Sequence, residues 1–369
     1  MRLLRIGLAV CLSTGAFLRA QTPTPTPAIV QQQHVSVPCV SRPAGRRGTK
    51  LDCYPHTLSR GRDLGYSYDN NPLPLPTGMQ YGTHVSSVAI NSKGHIFVFH
   101  RVPDGQAQLL EFDEHQKFIR GFGEGLTVLA HGMTIDSEDN IWICDQRGAT
   151  VTKLSPEGQT VMTIGVKGQP GDWDEAKGSH LLWEPLSVAI ASNGDLYIGM
   201  GHANESPAGK PARVLHLDKT GKYVGQWFGD AWGPGKFSMI HQIALDAGGN
   251  VYLADREQYR LVIFDAAGRF IRTIQKTNLA GGILITKRNE FWVSLGADGQ
   301  VEKLEFDGNV NHFEGRIVGA IGTGPGDGLG QFGEAADMAM DATGAIYVAD
   351  GVDGRVEKLT PPVTASRGR

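Results

Sequence analysis

The sequence predicts an all-β chain folded as a six-bladed β-propeller. Three observations predict it: six phrases that repeat nearly the same pattern, the spacing between them, and 49 glycines in 369 residues with no long helical period. Each phrase is a short apolar run, a Gly/Asn/Asp-rich turn and a second apolar run rich in Ile, Val, Tyr and Trp, which is the pattern of a β-hairpin. They recur roughly every 40–55 residues, a period that fits propeller blades better than βαβ units.

In chain order the phrases are SVAINSKGHIFVFHR from Ser87, GMTIDSEDNIWICDQR from Gly132 and SVAIASNGDLYIGMGH from Ser187. QIALDAGGNVYLADRE from Gln242, GILITKRNEFWVSLGA from Gly282 and DMAMDATGAIYVADGV from Asp337 complete the set. Each supplies strands one and two of a blade, and segments such as RLVIFDAAGRFIRTI from Arg260 supply strands three and four. The sixth unit is short, because little chain remains after Leu359, so a strand from before Val85 is expected to complete it and close the ring.

The flanks read differently. Arg2 and Arg5 precede the apolar stretch 6–18, which predicts a signal peptide over 1–20 and a secreted or periplasmic protein. The stretch is short of the ~20 residues a spanning helix needs, so no transmembrane segment is expected. Residues 21–80 form a Pro-rich linker, TPTPTPA, and an N-terminal extension. In an exported protein Cys39 and Cys53 are the natural disulfide pair, whereas Cys144 in IWICD reads as a small buried hydrophobe. The propeller is assigned to 81–361 and a flexible tail to 362–369. A net charge of −3 and a pI near 6.5 leave no basic footprint for nucleic acid.

Hairpin connectivity places the start of strand one and the end of strand two at the same end of each blade. Two positions before the first apolar residue of strand one stand Ser86, His131, Leu186, His241, Gly281 and Ala336. Just beyond strand two stand Arg101, Gln146, Gly201, Arg256, Gly296 and Gly351. Two neutral imidazoles brought together near an axis suit a divalent transition metal, although a single channel histidine is commonly just a hydrogen-bonded polar residue. Guanidinium groups at a funnel mouth suit a carboxylate, or else pair with aspartates such as Asp255. His202 opens the insertion HANESPAGKPAR, which reads as a lid or as exposed filler. His84, His100, His180 and His216 receive no role.

AHGMTID around His131, FSMIHQIALD around His241, LADRE around Arg256 and IFVFHR ending at Arg101 resemble peptidyl-α-hydroxyglycine α-amidating lyase, a six-bladed propeller of the NHL-repeat class. The likeness runs from about Val85 to Leu359. It implies a catalytic zinc on three histidines from alternate blades, two arginines on the substrate, a tyrosine base and a structural calcium. His131 and His241 match two of the zinc ligands, and Arg101 and Arg256 match the arginines. The third histidine is replaced by Ala336, and the tyrosine by His202, whose ordinary pKa suits a base near neutral pH. Asp337 and Glu334 are the candidates to replace the missing ligand. The resemblance thus implies a diverged lyase, or a related hydrolase, acting on a small carboxylated or peptide-like substrate. The competing expectation is a non-catalytic propeller that binds a protein, peptide or glycan on its top face. A sugar- or lactone-processing propeller would need several acidic ligands, and the ring positions offer no carboxylate.

Overall fold

A computed structural model describes residues 61–201, 211–229, 235–275, 277–306 and 316–363. They form a six-bladed propeller of antiparallel four-stranded sheets. The expected signal peptide over 1–20, the expected Cys39–Cys53 pair and His202 lie outside the described residues.

The innermost strands, in blade order, are His84–Ile90, Ala130–Ile135, Pro185–Ile190, Ile243–Leu245, Ala280–Ile285 and Ala335–Met340. Their partners are Ile96–Arg101, Ile141–Asp145, Leu196–Met200, Val251–Asp255, Phe291–Leu295 and Ile346–Asp350. These twelve segments fall on the apolar runs of the six phrases. Two further strands follow in blades one to five. Blade six has only Arg355–Thr360 after its hairpin, and its fourth strand is Ser67–Asp69, paired antiparallel as Ser67 with Thr360 and Asp69 with Lys358. The first and last strands of the described residues therefore share one sheet, which completes the sixth blade and closes the ring.

The hairpin turns repeat one device. Asn91, Asp136, Asp246 and Asp341 each accept the backbone N–H groups two and four residues on, fixing the turn through the side chain. The turn needs a left-handed residue at its fourth position. Gly94, Gly194, Gly249 and Gly344 supply it, and Asp139 and Asn289 adopt φ of 63° and 60° in blades two and five.

The core lies between blades, because successive residues of a strand point to opposite faces. Phe97 and Phe99 pack with Met133, Ile141 and Ile143 of blade two, while Ile96 and Val98 pack with Tyr347 and Ala349 of blade six. Trp142 and Cys144 face Val188 and Ile198 of blade three. Cys144 is fully buried, and burial pushes its thiol pKa up, so it is inert packing. No helix among the described residues is long and apolar enough to cross a membrane.

Candidate functional site

Blades two, four and six share a construction that aims one residue at the axis. Strand two of each ends in a buried aspartate: Asp145, Asp255 and Asp350. Its carboxylate accepts two consecutive backbone N–H groups of the chain arriving at strand one. The donors are Val128 and Leu129 in blade two, Ser238 and Met239 in blade four, and Gly333 and Glu334 in blade six. Two residues after each pair come His131, His241 and Ala336. In blades two and six these lie where the register slips, between Ala130 and Met133 and between Ala335 and Asp337. A bulge of this kind re-aims a side chain that would otherwise follow the pleat.

The imidazoles of His131 and His241 meet edge to face with ring centroids 4.9 Å apart. His131 Nδ1 lies 2.8 Å from the carbonyl oxygen of Leu186, and His241 Nδ1 lies 2.7 Å from that of Gly281. A carbonyl only accepts, so each Nδ1 carries the proton and the basic lone pair is on Nε2. A backbone carbonyl that accepts from Nδ1–H fixes the ring and its tautomer, as it does for histidines that ligate metals through Nε2. The pair therefore fits two positions of a divalent-metal site. The third does not follow: among the described residues no three His, Cys, Asp or Glu side chains converge on one point. Neither Glu334 nor Asp337 fills the place of Ala336, because each is held elsewhere.

Asp337 sits lower in the channel, a cavity of about 310 Å³. Its carboxylate accepts from Ser87 Oγ of blade one, Gln242 Nε2 of blade four and its neighbour's amide, Met338 N, at 2.8 Å. Gln242 in turn accepts from Ile283 N of blade five. The group is a cross-channel tie linking four blades. Burial outweighs its hydrogen bonds and pushes its pKa up to about 6.

Glu334 is the residue the sequence reading understated. The ring positions held no carboxylate, yet Glu334 enters the mouth from two residues upstream of Ala336. Its Oε1 is 2.5 Å from Arg256 Nη2. Burial opposes ionisation, but Arg256, His84 and Arg101 together hold its carboxyl below the usual glutamate range. Both arginines are thus gathered about one carboxylate. Asp255, the partner suggested by adjacency to Arg256, binds Arg260 Nε instead at 2.7 Å. Arg101 Nε also donates to the Ala130 carbonyl at 2.9 Å, next to His131. Small residues make the room. A Cβ added to Gly351 would come within 2.5 Å of the His84 ring and 3.2 Å of Glu334 Oε2, and one on Gly296 within 3.5 Å of Glu334 Cγ.

His84, given no role from sequence, thus belongs to the mouth, signalled only by its register opposite Arg101. The other three histidines are structural. The His100 ring bonds Gly82 N and the Ala107 carbonyl, and burial lowers its pKa to about 4. His216 contacts Asp195 and stacks on Tyr197, and His180 stacks on Trp173.

The fold is that of a six-bladed propeller with two histidines and two arginines at one mouth, and the similarity to known proteins supports an NHL-type propeller. The chain is 30% identical over 210 residues to a probable peptidyl-α-hydroxyglycine α-amidating lyase of Caenorhabditis elegans, covering 49% of this chain and 55% of that protein. It is 27% identical over 230 residues to peptidyl-glycine α-amidating monooxygenase of Mus musculus, covering 54% of this chain and 22% of that one. NHL repeat-containing protein 3 of Mus musculus is 29% identical over 204 residues, with 52% and 55% covered. The chain thus spans about half or less of the length of these relatives. No family model matches. Among solved structures, a streptogramin B lyase shares the fold with a TM-score of 0.53 at 13% identity, over 80% of this chain and 98% of that one. A gluconolactonase from Xanthomonas campestris does so with a TM-score of 0.55 at 15% identity, over 76% and 87%. The chain is a propeller similar to the amidating lyases and to NHL-repeat proteins.

Proposed function

We propose that the protein is an exported propeller enzyme diverged from peptidyl-α-hydroxyglycine α-amidating lyase, cleaving a C–N bond in a small carboxylated or peptide-like substrate. One observation carries the reading: two imidazoles from alternate blades meet at the channel mouth, each with Nδ1 donated to a backbone carbonyl. His131 and His241 would hold a zinc ion, and zinc there would supply Lewis-acid polarisation of a substrate oxygen. Arg101 and Arg256 orient the substrate from blades one and four. His202 takes the proton of a carbinol hydroxyl, whose oxygen pair forms the new C=O. The C–N pair leaves to nitrogen, which is protonated, and the products are an amide and an aldehyde. Export is supported by the basic start and apolar stretch of residues 1–20.

The test is release of the amide from an N-acyl α-hydroxyglycine and from its uncharged α-hydroxyglycinamide, followed by mass spectrometry against the buffer rate. Zinc-dependent cleavage of either compound, lost in the His131→Ala/His241→Ala double variant, is the expected result. Cleavage of neither would overturn the enzyme. A second reading rests on Ala336: a propeller that binds a protein, peptide or glycan at this mouth without turnover. Binding that survives His131→Ala in a metal-free protein would establish it.

A further inference from the structure

We infer that Glu334 is a built-in counter-ion that sets the charge preference of the mouth, turning the arginine pair away from carboxylates and toward uncharged, peptide-like ligands. The inference rests on the proposed reading of this mouth as the substrate site, and it chooses between that reading's carboxylated and peptide-like substrates.

The argument starts from the three equivalent anchors. The residue whose amide is the second donor to the anchoring aspartate is Leu129 in blade two, Met239 in blade four and Glu334 in blade six. Two of the three are apolar, so the anchor itself does not call for an acid. The acid in blade six reaches a guanidinium from blade four, across blade five. That reach requires empty space, and blade five supplies it at Gly296, where an added Cβ would lie 3.5 Å from Glu334 Cγ. Arg256 and Glu334 are each 16% exposed at the side chain, so their contact is shielded from water and strong enough to compete with an incoming anion. A substrate carboxylate must displace Glu334 from Arg256 or be stacked against it. An amide or hydroxyl oxygen brings no like charge and avoids that repulsion.

Calorimetric binding of glycolate and its neutral counterpart glycolamide tests this. The wild-type protein is expected to bind glycolate no tighter than glycolamide. Glu334→Gln keeps the shape and removes the charge, and it should tighten glycolate at least tenfold with glycolamide within twofold of wild type. Glu334→Met places at this position the side chain that blade four carries there, and it serves as the second variant should the glutamine protein fail to fold. A tenfold preference for glycolate in the wild type overturns the inference. So does a ratio unchanged by both variants, undetectable binding included. The two ideas separate cleanly: a switched ratio without carbinol-amide cleavage sinks the lyase alone, and cleavage with an unswitched ratio sinks the counter-ion alone.

Discussion

Blades two and four differ from blade six in side chains while sharing a backbone device. All three end strand two in a buried aspartate that grips two arriving amides, and all three present a residue to the axis two positions later. In blades two and four that residue is histidine. Blade six presents Ala336, and its second amide donor to the anchoring aspartate is Glu334 in place of Leu129 or Met239. The backbone device is therefore separable from the side chain it presents, since the same anchor precedes a histidine in two blades and an alanine in the third.

The strongest way to break the comparison is to remove an anchor. Asp255→Ala deletes the acceptor for Ser238 and Met239 and removes the carboxylate that the buried Arg260 guanidinium faces, so a loss of about 3–5 kcal/mol is expected in denaturant unfolding. A loss below 1 kcal/mol would mean that the aspartate is not what seats His241.

Blade six can next be probed through pH. Asp337 has a folded pKa of about 6 against an ordinary 3.8. Between those values the folded protein keeps a proton that the unfolded chain has released, so stability falls as pH rises through the window, by about 2–3 kcal/mol in all. Asp337→Asn should flatten that slope in urea titrations at pH 4 to 7, and an unchanged slope would contradict the burial argument.

The comparison is sharpened by giving blade six the histidine that blades two and four carry. Ala336→His places three histidines on alternate blades, and competition with a chromophoric chelator should show zinc bound at least tenfold tighter, about 1.4 kcal/mol. Unaltered affinity would show that the third position no longer faces the pair.

The smallest expected effect lies at Glu334, whose sign is opposite to that of Asp337. Arginine neighbours hold its folded pKa below the ordinary 4.5, so its stabilisation is present above pH 4.5 and is lost as pH falls through the folded value. Glu334→Gln should remove part of the acid-side decline. An acid limb that matches the wild type would argue against the ion pair.

Much of this was legible in the sequence for a simple reason. A period-two apolar run fixes which residues face the neighbouring blades, as for Phe97 and Phe99 against Ile96 and Val98, and a fixed hairpin fixes which residues share an end. His131, His241, Arg101 and Arg256 followed from counting alone. Glu334 did not, because its reach depends on a side chain that is absent from another blade, at Gly296. The closing strand was expected only as a segment before Val85. Ser67–Asp69 is three residues long, lies before the boundary drawn at 81, and carries no alternation of its own to reveal it.

The most direct test is the metal content of purified protein, measured by elemental analysis for wild type and for His131→Ala/His241→Ala after identical zinc exposure and dialysis. About one zinc per wild-type chain and none in the double variant is the expected result. No zinc in the wild type, or equal zinc in both, would contradict a metal site built on these two histidines.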